Sequence, residues 1–502
     1  MKRSHKKKTR IKAAVLLTIV ALAVTACGGK DPQGDPKAAG QQGPLNLTMM
    51  LPTYNPEQMP TDSSVLKQLE EKTNTKITVS WVPSSSYTDK LSATVASGEL
   101  PKTFVALEPK ASFIVNAARS GMFWEVGPYL KSYPNLSKMS DIVLKNISID
   151  GKIYGVYRER DLARFGLMIR QDWLDNLGLK TPKNMDEFYN VLKAFTTGDP
   201  DKNGKPDTIG LAVGMQGNTI AGFKDILVYM GGPNEWELKD GKLSPAHMTP
   251  AYLDTLNFYK KLYDEKIINQ DFAIVKDGRQ VINKGQAGVW IDNMFDGKGI
   301  DDNIKKIEPK AQINLINRIS GPKGEQTRAG AGYLGMYMIP KTSVKTEAEF
   351  KQILEYFDKV SGKEIQNLMK YGFEGKQYTV ENGNYKQSTD PKLKTEILDG
   401  NQFMVMQNEV ISYGNDLEKL SYKLFQDNAT IALANPAAPY ISNTEVEKGK
   451  EISKIIDDAV VKYIMGSIDE AGWKQALDKW QQSGGNKVIE EMNAEHAKQA
   501  KK

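Results

Sequence analysis

From Leu45 onward, apolar segments of two different periods alternate, and this alternation constrains the fold more than any other feature of the 502-residue chain. "LNLTMMLP", "KITVSWVP" and "KTFVALE" read as strands. Between them, "DSSVLKQLEEKTN" places Val65, Leu66 and Leu69 on one helical face, and "YTDKLSATVASGELP" reads as a helix ended by Gly98 and Pro101. Strands separated by helices of this length join through right-handed crossovers, so a mainly parallel sheet is expected.

The pattern returns further on without a fixed-period repeat. "RFGLMIRQDWLDNLGL" passes from strand to helix. "NMDEFYNVLKAFTTG" is a helix opened by a capping box from Asn184 to Glu187, with Met185, Phe188, Leu192 and Phe195 on its apolar face, and "TIGLAVG" is a further strand. Two late amphipathic helices, "TEVEKGKEISKIIDDAVVKYIMG" and "SIDEAGWKQALDKWQQSGG", each begin with a Thr/Ser-x-x-Glu box. The length predicts more than one domain, and two α/β lobes are the economical arrangement.

Before Leu45 the sequence has a different character. "MKRSHKKKTRIK" carries seven Lys/Arg and no acid, and the apolar run that follows is too short to cross about 30 Å of hydrocarbon as a permanent helix. This is a secretory signal. It ends at Val24-Thr25-Ala26-Cys27, which is similar to the lipobox of bacterial lipoproteins, so Cys27 is expected to become the lipid-bearing mature N-terminus; the alternative is an ordinary cleavage site with an incidental thiol. Cys27 is the sole cysteine, which excludes disulfides within the chain. "GGKDPQGDPKAAGQQGP" then reads as a flexible tether, spanning on the order of 20 Å as a coil.

The net charge of +6 belongs to the signal: without its seven basic residues, 60 Lys/Arg stand against 61 Asp/Glu, a net −1. Nothing remains of the basic footprint expected of a nucleic-acid-binding domain, and no nucleic-acid partner is expected.

In "TGDPDKNGKPD", Asp199, Asp201, Asn203 and Asp207 alternate around Gly204. They occupy positions 1, 3, 5 and 9 of an EF-hand-like loop, with the Lys205 carbonyl at 7. Position 12 is Gly210 rather than Glu. A structural calcium ion is the expectation, since three neighbouring carboxylates disfavour one another's ionised forms; a turn selecting the same residue types is the alternative.

Several stretches together resemble a known family: "ASGELPKTF", "GMFWEVGPYLKSYPNL", "DGKIYGVYRERD", "RQDWLDNLGLKTPKNMDEFYNVLKAFTTGDPDKNGKPDTIGL", "NKGQAGVWIDN" and "IMGSIDEAGWKQALDKWQQSGGNKVI". In order and spacing they are similar to the lipid-anchored extracellular solute-binding proteins, family 1, of Gram-positive sugar-type ABC importers. The resemblance implies a two-lobed periplasmic-binding-protein-like α/β fold (type II), with central β-sheets flanked by helices and a ligand cleft between the lobes. It implies an extracellular, membrane-anchored monomer that hands an oligosaccharide to ABC permease subunits. The organisation expected is a signal peptide at 1–26, lipidated Cys27 and tether at 27–44, an N-terminal lobe of 45–163 with 322–395, a C-terminal lobe of 164–321 with 396–495, and a charged tail at 496–502. Crossings between lobes are expected near Arg158 to Arg164, near Gly321 to Gln326, and around Asp390 to Gly400. Some oligosaccharide-binding members hold calcium at the place of the Asp199 to Asp207 loop, often with an acid where Thr208 stands here.

A sugar offers hydroxyls in a ring plane and apolar C–H faces, so its site needs aromatic platforms and orienting polar groups. Trp290 is the first candidate, because the matching place in sugar-binding relatives reaches the cleft; core packing is the rival. Tyr54 follows the first strand at its carboxyl end, where open α/β sheets bind ligands. Arg158, Arg160 and Asp161 lie at a presumed crossing, where an arginine fork suits vicinal hydroxyls or a carboxylate and hints at uronic acids; a surface ion-pair cluster is the alternative. Tyr333 sits among glycines that permit close approach or tight strand packing. Trp81, Trp124 and Trp236 read as core or rim, and Trp473 and Trp480 as a core stripe.

A surface glycan hydrolase or lyase, or a non-transporting adhesin, is the competing function. Only His247 and His496 survive signal removal, and no G-x-S-x-G or H-E-x-x-H motif occurs, which argues against serine-triad and zinc chemistry. A carboxylate pair cannot be singled out among 61 acids.

Overall fold

A computed structural model describes residues 43–499 apart from 217, 382 and 407–413. The signal peptide, Cys27 and all but the last two residues of the tether lie outside the described residues. The strands that build the two main sheets are β1 (Leu45–Thr53), β2 (Thr75–Pro83), β3 (Thr103–Ala106), β4 (Gly155–Glu159), β5 (Phe165–Arg170), β6 (Ile209–Leu211), β7 (Ala287–Asn293), β8 (Ile313–Ile316) and β9 (Tyr333–Met338).

The first sheet has the order β2-β1-β3-β9-β4. β1 pairs in parallel with β2 and β3, as the crossover reading predicts, with the helices Ser64–Thr73 and Ser84–Ser97 between them. Ser63 caps the first helix by accepting from the Leu66 N–H, and Gly98 ends the second in the left-handed region at φ 75°. β9 returns from the far side of the molecule and pairs antiparallel with β3 and β4. The second sheet, β8-β5-β7-β6, has β7 parallel to β6 but antiparallel to β5, and β8 antiparallel to β5. Both sheets are therefore mixed, not mainly parallel. A local alternation of strand and helix predicts parallel pairs only where the chain stays in one sheet, and this chain leaves and re-enters each one.

Each sheet has its own core. Leu51, Phe104, Tyr157, Met338 and Phe357 centre the first lobe. Leu167, Trp173, Phe195, Tyr259 and Ile464 centre the second, and Trp473 and Trp480 are buried in it. Asn184 accepts from the Glu187 N–H at the start of Met185–Thr197, as read. The two late helices begin differently from the box reading: Ser442 caps Asn443–Ile464 and Asp469 caps Glu470–Trp480. Each cap lies two residues from the predicted Thr or Ser, because Ser442 and Asp469 are equally competent acceptors.

The first crossing runs from the end of β4 to the start of β5, through residues 160–164. The second falls later than Gly321 to Gln326. Those residues form a hairpin, Ser320–Gly321 with Gly324–Glu325, and a Cβ on Gly321 would collide with the Tyr229 carbonyl of the second lobe. The passage to β9 follows, through residues 329–332, hydrogen-bonded to the first crossing by Arg160 N to Gly332 O and Gly330 N to Leu162 O. Asp390 to Gly400 is not a crossing: Pro391–Gly400 is a helix whose Ile397 packs into the first core, together with Phe403 to Met406. Later in the chain the helix Asp416–Ala429 packs in the second lobe, where its Ser421 hydroxyl donates to the Met294 carbonyl.

Candidate functional site

Cavities flank the crossing segments. One space is walled on the first lobe by Lys110, Ile142 and Tyr333 and on the second by Glu235, Trp236, Asn435 and Tyr440, with Arg328 also in its lining and a volume of about 570 Å³. A cavity of about 760 Å³, lined by Glu108, Phe113, Tyr333, Tyr440 and Glu445, continues it. A third, of about 510 Å³, adjoins them through Glu235, Trp236 and Glu445 and runs into the second lobe toward His247, Tyr252 and Trp480. These spaces form one elongated cleft with several aromatic walls, a shape suited to a chain of rings rather than one small molecule.

Lys110 stands where β3 ends, in the loop at the carboxyl end of a parallel pair. Its ammonium reaches across the cleft to the Ala438 and Tyr440 carbonyls, and burial lowers its pKa to about 8 against the opposing pull of Glu445. Arg328 is fixed by Asp225, which accepts from its Nε at 3.0 Å and its Nη2 at 3.3 Å, and its guanidinium carbon lies 3.6 Å from the centroid of the Phe165 ring.

A smaller cavity, of about 260 Å³, joins both lobes to the first crossing. Arg160, Asp161 and Arg164 come from the crossing, Lys370, Asn401 and Met404 from the first lobe, and Asn293, Phe295, Tyr422 and Phe425 from the second. Burial lowers the Arg160 pKa to about 9, with Arg158 and Arg164 adding to the effect, and lowers Lys370 to about 8. Burial raises the Asp161 carboxyl while the neighbouring arginines pull it back.

Of the residues singled out from sequence, Arg160 and Asp161 line the small cavity and Tyr333 lines the large ones. Arg158 does not reach a cavity. It is fully buried in the first lobe, donating Nη2 to Gln402 Oε1 at 2.8 Å and Nη1 to the Leu334 carbonyl. Trp290 is core rather than cleft in this structure: it is 1 % exposed, and a Cβ on Gly278 would come within 2.7 Å of its ring. β7 is covered on both faces, so its strand residues 287–291 are all buried and only Asn293 and, past its end, Phe295 reach a cavity. Tyr54 is exposed and lines none of these cavities; its loop is pinned by Asp399, which accepts from the Thr53 hydroxyl, the Asn55 amide and the Met59 N–H. Trp236, read as core or rim, lines two cavities, while Lys110, Arg164, Arg328, Lys370, Phe295 and Tyr422 were not singled out for the site.

The acidic loop folds about its own side chains. Asp199, Lys202 and Gly204 take left-handed backbone conformations. Asp199 accepts from the Asn203 and Gly204 N–H groups, and the Asn203 side-chain amide donates to Asp201 at 2.7 Å and to Asp207 at 3.2 Å. Burial and the neighbouring carboxylates raise the Asp201 pKa. Thr208 is turned inward to the Phe195 carbonyl and Gly210 packs on the Leu192 backbone, so neither supplies a further oxygen. Among the described residues no three His, Cys, Asp or Glu side chains converge as metal ligands. The loop thus fits a hard cation in donor type, with Asn203 bridging its carboxylates, but not as a closed cage.

The family model described as bacterial extracellular solute-binding protein matches residues 55–367. The chain is 41% identical to the polygalacturonan/rhamnogalacturonan-binding protein YtcQ of Bacillus subtilis (strain 168), over 98% of this chain and 99% of that protein. It is 37% identical to lipoprotein LipO of the same organism, over 95% and 96%. Among solved structures, an EF-hand mutant of the S. pneumoniae ABC-transporter substrate binding protein FusA, in complex with fructo-nystose, superposes with a TM-score of 0.67 at 18% identity, covering 91% of this chain and 100% of that one.

Proposed function

This chain belongs to the bacterial extracellular solute-binding proteins, and from that premise we propose that it captures an oligosaccharide between its lobes and delivers it to the permease of an ABC importer. The observation that carries the reading is the elongated cleft in which Tyr333 of the first lobe faces Trp236 and Tyr440 of the second, with Lys110 and Arg328 among them. Rings stack on such side chains while the cations and carboxylates orient hydroxyls. A ligand touching both walls favours the closed arrangement, and only that preference allows it to shift the lobes. The protein binds its solute and performs no covalent chemistry on it. The name of the B. subtilis relative YtcQ favours an acidic, pectin-type oligosaccharide.

Anchoring through lipid on Cys27 is part of the proposal, supported by the lipobox-like signal and by a relative named as a lipoprotein. So is a structural calcium ion held by Asp199, Asp201, Asn203, Asp207 and the Lys205 carbonyl, which would neutralise the carboxylates and stiffen the loop. Calorimetric titration of the mature protein with neutral and acidic oligosaccharides tests the central reading. Micromolar or tighter binding of one class, with no product formed, supports it; product formation, or no binding across the panel, overturns it.

A further inference from the structure

We propose that the smaller interlobe cavity is a subsite for the carboxylate of one uronic-acid residue, held by Arg160, Arg164 and Lys370 against the rings of Phe295, Tyr422 and Phe425. The inference rests on the oligosaccharide reading above and adds which group of the ligand is read, and where.

The first support is the charge imbalance. Three cations and one acid, Asp161, line this cavity, although the chain without its signal carries a net −1; Asp292 and Asp296 act on Arg164, and Glu418 on Lys370, from outside the lining. The second is how little the cations hold. Arg160 donates Nη1 to the neighbouring Glu159 carbonyl, Lys370 donates to the neutral Tyr422 hydroxyl at 2.7 Å, and Arg164 lies 5.4 Å from the Phe165 ring centroid. None of the three forms a salt bridge with a described residue. Two other enclosed arginines hold carboxylates directly, Arg170 with Asp172 and Glu308 and Arg328 with Asp225, whereas fully buried Arg158 is held by Gln402 and the Leu334 carbonyl. Desolvated cations that no carboxylate touches directly are costly, and the lowered values of Arg160 and Lys370, caused first by burial, accord with that cost. An arriving carboxylate removes it, and the planar arginine forks match both carboxylate oxygens.

Size and placement narrow the ligand. A volume of about 260 Å³ lies below the ~300–1,000 Å³ of sites that take larger organic ligands, so the space suits a single ring. The Asn293 and Asn401 side chains offer both donors and acceptors to its hydroxyls. Because Lys370 and Tyr422 come from different lobes, an anion seated here touches both sides of the hinge and favours their approach.

The test is calorimetry on the mature protein with trigalacturonate, its fully methyl-esterified form, a neutral galactose trimer and inorganic phosphate. Trigalacturonate is expected to bind at least about tenfold more tightly than its ester, the lower end of what one hydrogen bond to a charged group supplies. Arg164→Gln and, separately, Lys370→Met are expected to weaken trigalacturonate at least about tenfold more than its ester, so that the preference for the acid is lost. Thermal melts accompany both variants, so a loss of fold in one leaves the other to decide. Equal affinity for acid and ester, or variants that weaken both alike, overturns the carboxylate subsite but leaves the oligosaccharide reading intact. Phosphate binding as tight as trigalacturonate, abolished by the same variants, overturns it in favour of a free-anion site. Failure of every saccharide to bind sinks the oligosaccharide reading itself.

Discussion

The Lys370 ammonium, on the first lobe, donates to the Tyr422 hydroxyl, on the second, at 2.7 Å. One lysine thus connects the lobes and lines the cavity proposed for a sugar carboxylate. Arg160, Arg164 and Asp161 share that cavity, Glu418 acts on Lys370 from the Tyr422 helix, and the ring of Tyr371 lies beside it on its own helix. Burial lowers the lysine to about 8. A bound carboxylate favours the ammonium form, so the ligand complex takes up a proton once the free lysine is neutral. Affinity for trigalacturonate is therefore expected to be flat from about pH 6 to 7.5 and to fall above 8, by at most about tenfold per pH unit. Lys110, also lowered to about 8, borders the larger cleft, so the profile is compared with Lys370→Met and Lys110→Met; the Lys370 change is expected to flatten it.

The Asp225–Arg328 pair makes a prediction about stability. Both side chains are largely enclosed, and Asp225 accepts from two guanidinium nitrogens. Asp225→Ala leaves the Arg328 charge without its carboxylate in the cleft lining, which costs on the order of 3–5 kcal/mol. A lower midpoint in urea checks this, and the double change Asp225→Ala with Arg328→Met is expected to recover much of the loss.

Local periodicity made the first three strands and their helices legible, because β1, β2 and β3 are contiguous units whose burial depends on residues close in sequence. It did not reveal the return of β9, which is set by pairing across a long separation. The site was read unevenly for the same reason. Tyr333 and Arg160, which line cavities, are marked locally by glycines and by a crossing. Lys110 was within reach of the argument used for Tyr54, as it too follows the carboxyl end of a strand. Lys370 and Tyr422 sit on unremarkable helices and become neighbours only when the lobes assemble. Trp290 was open between cleft and core because a tryptophan in a strand covered on both faces looks, in sequence, like one that stands over a ligand.

Trp290 supplies a clean discrimination between core and cleft. Its ring is enclosed beside Gly278, and its indole N–H has no hydrogen-bond partner. Trp290→Phe is expected to leave oligosaccharide affinity within about twofold of the native protein, since a group outside the interface adds little to binding. Trp290→Ala opens a cavity and is expected to cost about 3–5 kcal/mol of stability. Titration and thermal melting of the two variants separate these effects; a tenfold loss of affinity in a normally melting Trp290→Phe protein would return the residue to the cleft.

Calcium is expected to act on stability rather than on recognition. The Asp199 to Asp207 loop is exposed from Lys202 to Asp207, with Asp199 and Asp201 half-buried and Pro200 buried, and Asn203 bridges Asp201 and Asp207. Extracellular sites of this kind bind with dissociation constants of roughly 0.1–1 mM. At about 10 mM calcium, mass action then adds about 1.4–2.7 kcal/mol to the folded state. Burial and the neighbouring carboxylates hold the Asp201 carboxyl above its usual value without the ion, and a bound cation reverses that by favouring the ionised form. The calcium increment is therefore expected to shrink as pH falls toward the carboxylate range. Melting curves of chelator-treated protein, with and without calcium, check the increment, and Asp201→Asn is expected to abolish it. An unchanged midpoint in the native protein at that concentration would leave Asn203 as the only bridge between those carboxylates and the loop as a turn.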